Sequence, residues 1–171
     1  MLKDISNFKN TNDYLSLLNA VLITDLCVIL LSNMGIIKSK VLKKWYLKYN
    51  LSAVIADVFI ILLVLIIARA IYYYIFDTFS LFKFISLAVG LQIIHDVLFY
   101  MLFSTIPKGV NNMMDTFKEY AKESSYYAII SDSGMIILSC LLASYLVNKN
   151  KNTNIIVFIS CIYLLPYLIY Y

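Results

Sequence analysis

"LSAVIADVFIILLVLIIARAIYYYI", residues Leu51–Ile75, carries two charged letters, Asp57 and Arg69, in an otherwise apolar run. At about 1.5 Å per residue it is long enough to cross a hydrocarbon core about 30 Å thick. Four more stretches read the same way, which places spans at 14–34, 51–75, 81–106, 126–147 and 155–171. A lipid-exposed backbone must satisfy its own hydrogen bonds, and none of these segments alternates like a barrel strand. The expected fold class is therefore all-α, a polytopic transmembrane helix bundle forming one domain over residues 1–171. The fifth stretch is short, contains Pro166 and coincides with the chain end, so four spans plus a re-entrant or interfacial tail is the alternative.

Composition points the same way. Of 171 residues, 62% are hydrophobic and 14% charged, with a mean hydropathy of +0.82, too apolar for a soluble domain that must cover itself with polar side chains. The first apolar stretch is too long for a signal-peptide core and lacks a small-residue cleavage pattern, so it is expected to stay in the mature protein. Cys27, Cys140 and Cys161 fall inside spans without a C-x-x-C pair, which indicates small core residues rather than disulfides or a zinc site. No low-complexity tract or convincing internal repeat is evident, and the apolar letters of the first two spans align no better than those of any two such spans.

The linker "KSKVLKKWYLK" holds Lys38, Lys40, Lys43, Lys44 and Lys48, the densest positive run in the chain. By the positive-inside rule it faces the cytoplasm, which puts the N-terminus outside and the C-terminus inside. Trp45, Tyr46 and Tyr49 in the same linker are residue types that settle among lipid headgroups. With the lysines they form a candidate surface for acidic lipid or an acidic partner, alongside the simpler reading of a topology-setting loop. "NLS" at Asn50 matches a glycosylation sequon but abuts a span on the inner side, so no glycan is expected. The second linker opens with Pro107-Lys108-Gly109 and continues as a short amphipathic helix over about 111–123. Met113, Phe117 and Tyr120 share one face, opposite Asp115, Lys118, Glu119 and Lys122. Its charges nearly cancel, which suits a helix lying at the interface or docking on a partner through Phe117.

Each of the first four spans contains one aspartate: Asp25, Asp57, Asp96 and Asp132. Asp57 and Asp132 lie roughly 9 Å from the ends bearing the two long linkers, and Asp25 and Asp96 roughly 14 to 15 Å. Because successive spans alternate in direction, all four carboxyls fall in the same half of the membrane. Gln92, His95 and Asp96 share overlapping faces of the third span, and Ser125, Ala128, Asp132, Ser139 and Ala143 form a small, weakly polar stripe on the fourth. Arg69, near the opposite end of its span, is expected to snorkel, leaving His95 as the cationic partner of the acids. An aspartate at a helix centre costs about 2.5 to 3.5 kcal/mol on insertion scales, so four ionised carboxyls with one histidine are not tenable in dry lipid.

Two readings remain open. One is a proton or cation site built from Asp25, Asp57, Gln92, His95, Asp96 and Asp132; the other is a set of interhelical hydrogen bonds that fix register. Carboxylate oxygens suit hard cations, while a single histidine does not suit zinc, so no metal site or cofactor is assigned. No nucleophile elbow, zinc-protease helix or phosphate loop occurs, and an enzyme is not expected.

The run from Gln92 to Met135 resembles uncharacterised multi-pass proteins of large double-stranded DNA viruses, through His95-Asp96, Pro107-x-Gly109-x-Asn111, Asp115-x-Phe117-Lys118 and Asp132-Ser133. The resemblance implies a viral membrane structural protein, in a virion or host membrane, whose inner-side loops contact capsid or core proteins. Expected partners are the lipid bilayer and such proteins, without nucleic acid, and the bundle is small enough to be one protomer of an oligomer. The competing function is a small proton- or cation-conducting channel or transporter built on the aspartates.

Overall fold

The computed structural model describes residues 3–170, so Tyr171, the expected end of the fifth span, lies outside the described residues. The helices are α1 (Tyr14–Asn33, preceded by a single 3-10 turn, Thr11–Asp13), α2 (Lys40–Tyr49), α3 (Leu51–Ile75), α4 (Leu81–Thr105), α5 (Asn112–Ser124), α6 (Tyr127–Leu146) and α7 (Lys151–Ile169). Five of them, α1, α3, α4, α6 and α7, are long and apolar enough to cross a membrane. The fold is an all-helical bundle.

The fifth span begins at Lys151, four residues before the sequence reading placed it. Asn150 is responsible: its side chain accepts the Thr153 amide at 2.7 Å, an N-cap that lets the helix start in a polar stretch. Pro166 is accommodated inside α7. The carbonyl of Leu168, two residues on, accepts Asn33 Nδ2 from α1 at 2.8 Å. At the other end of the same pair Asn19 Nδ2 donates to the Asn154 carbonyl at 2.8 Å. Both bonds join residues 135 apart, as two parallel helices in fixed register require.

A correction concerns the basic linker, which was read as a loop and contains the helix α2. Ser39 caps it by accepting the Leu42 amide at 3.0 Å, and Leu42, Trp45, Tyr46 and Tyr49 recur at helical spacing. Trp45 and Tyr46 are turned inward and buried. They do not rest among headgroups as expected.

The structure also contains a repeat that comparison of the first two spans misses. Residues 14–75 and 81–146 follow one plan: a span, a short amphipathic helix, one residue of positive φ, and a second span running back. The junction residues are Asn50 (φ 47°) and Ser125 (φ 50°). Counted from them, "AVIADVFIILLVLIIA" (53–68) aligns without a gap on "AIISDSGMIILSCLLA" (128–143), which superimposes Asp57 on Asp132 and Ala68 on Ala143. Lys44 and Glu119 occupy equivalent positions and meet at 2.6 Å. Both repeats run the same way, the arrangement generated by an axis along the membrane normal. The packing follows a ring, with α1 against α3, α3 against α4, α4 against α6 and α6 against α1, while α2 and α5 cap one end side by side and α7 lies outside on α1.

Non-glycine residues at positive φ with strongly negative ψ are strained. Changing Ser125 to glycine is expected to raise stability by about 1 kcal/mol, relief of strain outweighing the added chain freedom. A thermal or denaturant midpoint at or below that of the unmodified protein would count against it.

At the uncapped end Arg69 does not snorkel. It is 1% exposed and donates to the carbonyls of Asn7 and of Asn10, the latter at 2.9 Å, and pairs with Asp13 at 3.4 Å. The chain before α1 folds back as a plug over this end: Ile5 is fully buried, and Ser144, the position equivalent to Arg69 in the second repeat, donates its hydroxyl to the Lys3 carbonyl at 2.6 Å.

Candidate functional site: an acidic cavity beneath the two-helix cap

Below α2 and α5, between α3, α4 and α6, lies a cavity of about 820 Å³. Five of the six residues read as a polar cluster line it: Asp57, Gln92, His95, Asp96 and Asp132. Asp25 does not. It is fully buried on α1 and accepts the Tyr46 hydroxyl at 2.9 Å, so it stands one side chain behind the cavity wall.

Each carboxyl is held differently. Asp57 Oδ2 accepts the Trp45 indole N–H at 3.0 Å. Asp96 Oδ1 accepts Gln92 Nε2 at 2.7 Å, one helical turn away, and lies 3.2 Å from His95 Nδ1. His95 stacks on Phe99 with ring centroids 5.6 Å apart and serves Asp96 alone, not the whole set of acids as expected. Asp132 faces Asp96 and Asp57 and has no hydrogen-bonding side chain of its own among the described residues.

The cap supplies the donors. Burial first, and then the carboxyls of Asp57 and Asp25, push the Tyr46 phenol well above its ordinary pKa. Burial and the nearby Asp132 push Tyr120 up to about 12. Both phenols are therefore protonated at neutral pH, and Tyr46 donates its hydrogen to Asp25. Tyr120 is the positional equivalent of Trp45, five residues before its junction, and it faces Asp132 as Trp45 faces Asp57.

The two cap helices are tied together by Tyr49, whose hydroxyl donates to the Asn112 carbonyl at 2.6 Å. Glu123 adds a bond to the Val41 amide at 3.1 Å. The Lys44–Glu119 pair is exposed, and each partner shifts the other toward its charged form, chiefly by the hydrogen bond between them. Phe117, expected at the lipid or partner surface, points inward and packs on Trp45 at 4.8 Å and Phe99 at 4.9 Å. Of the residues read as interfacial, Lys38, Lys40, Lys43, Lys44 and Lys48 are exposed, while Trp45 and Phe117 form the cavity roof.

No family model, curated protein or solved structure matches the chain.

The cavity arises where the repeats differ. Four residues before its junction the first repeat has Tyr46, which fills the space over Asp25 and hydrogen-bonds it; the second has Ala121, which lines the cavity. Asp25 is consequently sealed, and Asp96 is left open with a side chain 16% exposed. Toward the plugged end the space is closed, because Val64, Leu65, Ala68, Phe84 and Ala88 beyond Ile61 and Gln92 are all buried. It is a blind vestibule. No group of three or more histidine, cysteine or acidic side chains suited to a metal ion occurs among the described residues.

Proposed function

We propose that this chain is an integral multi-pass membrane protein that takes up a proton or a small cation at Asp57, Asp96 and Asp132 and works as a gated carrier. The reading is carried by one observation, a cavity that reaches three intramembrane carboxyls and is closed toward the plugged end. Ionisable side chains at this depth are costly to bury and earn a place where they face a cavity or a transported ion. A dry set of register-fixing hydrogen bonds has no use for about 820 Å³ of space, and an open pore needs a second mouth that the buried side chains below Gln92 deny.

Replacing Asp57, Asp96 and Asp132 together by asparagine preserves hydrogen bonding and removes titration. Proton flux into proteoliposomes under a potassium diffusion potential, read by a trapped pH dye, is expected to exceed that of empty vesicles and to fall to their level in the triple variant. Equal flux in the two proteins, with helicity and elution unchanged, rejects the reading.

The second reading, a membrane structural protein of a large DNA virus with its capped end toward capsid or core proteins, draws support from the lysines exposed on the outer face of α2. Under either reading the lysine-rich end faces the cytoplasm, with the N-terminus outside and the C-terminus inside.

A further inference from the structure

Resting on the reading of this vestibule as the site, we propose that its ligand is a lipophilic amine, a protonated primary or secondary ammonium bearing an apolar body.

The four donor side chains that are buried in the wall are already engaged. The Trp45 indole serves Asp57, the Tyr46 phenol serves Asp25, the Gln92 amide nitrogen serves Asp96 Oδ1, and the Thr116 hydroxyl serves the Asn112 carbonyl. The acceptors are left over. Gln92 is 3% exposed, and its Oε1 has no partner. Asp96 Oδ2 has none either, and half-buried Asp132 adds a carboxyl with no hydrogen-bonding side chain among the described residues. An unpaired buried acceptor costs about 1 to 3 kcal/mol, more when charged, so the matching ligand brings N–H donors and positive charge.

The rest of the wall describes the ligand's other end. Trp45, Phe99, Phe103 and Phe117 present ring faces and edges, and Ile60 and Met135 complete an apolar surface. Aromatic faces favour an ammonium, and the volume falls within the range of drug-sized ligand sites, well beyond what a bare ion needs. Exposed Val97, Tyr100 and Tyr126 also belong to the lining, so the space communicates with the exterior at the level where an amphiphile would approach from lipid.

Trp45 is the sole tryptophan and lines the cavity, which makes its fluorescence a direct reporter. The test uses the full chain in phosphatidylcholine nanodiscs and three quenching probes: terminally brominated octylamine, octanol and octyltrimethylammonium. The amine is expected to quench saturably, at about tenfold lower concentration than the alcohol, which lacks charge, and the trimethylammonium, which lacks N–H donors. Asp96→Asn removes the carboxylate, and Ala121→Tyr fills the cavity as Tyr46 does in the first repeat; each is expected to raise the half-saturating concentration about tenfold. If Asp96→Asn does not fold, Gln92→Leu takes its place with the same expectation. Equal quenching by the three probes, or unchanged amine quenching in either variant, overturns the proposal. Proton flux without selective amine quenching removes this proposal and leaves the carrier reading standing, whereas selective quenching without flux does the reverse.

Discussion

Arg69→Met is expected to destabilise the protein by about 3 kcal/mol, the lower end of the cost of breaking a buried ion pair. The lower end applies because only one guanidinium nitrogen is used: Nη2 contacts Asn7, Asn10 and Asp13, while Nε and Nη1 are buried without partners and are lost at no cost. What remains behind is the penalty, a buried Asp13 carboxylate without its cation, while the Asn7 and Asn10 carbonyls keep only their backbone donors. The Tyr14 ring beneath the guanidinium, 4.9 Å from its carbon, also loses its cation.

The damage should be local before it is global. Residues before α1 are held by Arg69, by the Ser144 hydroxyl and by burial of Ile5, so removing the first of these frees the plug. Trypsin is expected to cut after Lys9 in the variant well before it cuts the bundle. Arg69→Lys should fall between, since its ammonium keeps the charge and three donors but ends short of the Nη2 position that makes all three contacts. The double variant Arg69→Met with Asp13→Leu should recover part of the loss because no unpaired charge stays buried. A midpoint and cleavage pattern matching the unmodified chain would show that solvent, not the fold, satisfies this arginine.

The five spans were legible in the sequence because the requirement that decides them is one-dimensional: enough consecutive apolar residues to cross lipid. The level of the aspartates was legible for a similar reason, since depth along a helix follows from residue counting. What lies around each carboxyl was not, because side-chain partners depend on which faces meet. Trp45 and Tyr46 illustrate the difference. Their composition matches headgroup-level aromatics, and only the helical spacing of Leu42, Trp45, Tyr46 and Tyr49 after Ser39 announces a packed helix whose aromatic face turns inward.

The repeat was hidden by comparing the wrong pair. Adjacent spans run in opposite directions, so a parallel duplication relates α3 to α6 and not α1 to α3. The gapless match of 53–68 to 128–143 is the signal, anchored on Asp57 and Asp132. Once those two are equated, Ala121 falls on Tyr46, and the missing phenol marks where a void must open. Arg69 was misjudged for a comparable reason: its partners, Asn7, Asn10 and Asp13, are some sixty residues away in a polar segment that periodicity arguments set aside.

Trp45→Ala is expected to have the other large effect, about 3 to 5 kcal/mol, the usual range for deleting a buried large aromatic. The ring is 5% exposed and sits 4.8 Å from both Tyr49 and Phe117, so its loss empties the contact that joins α2 to α5 and enlarges the cavity beneath them. Trypsin supplies the readout, because α2 carries Lys40, Lys43, Lys44 and Lys48 on its exposed face and resists cleavage only while it is docked as a helix. Trp45→Phe separates packing from hydrogen bonding: it keeps most ring contact and leaves Asp57 Oδ2 without its donor, at a cost of about 1 to 3 kcal/mol. If the bond to Asp57 is what ties the cap to the acids, Trp45→Phe and Asp57→Leu should cost less together than their separate costs added, and a cation at Asp57 should compete with the indole and loosen α2. Strict additivity, with α2 equally resistant to trypsin in every variant, would make Trp45 a filler and leave the cap held by Tyr46, Tyr49 and the Lys44–Glu119 pair.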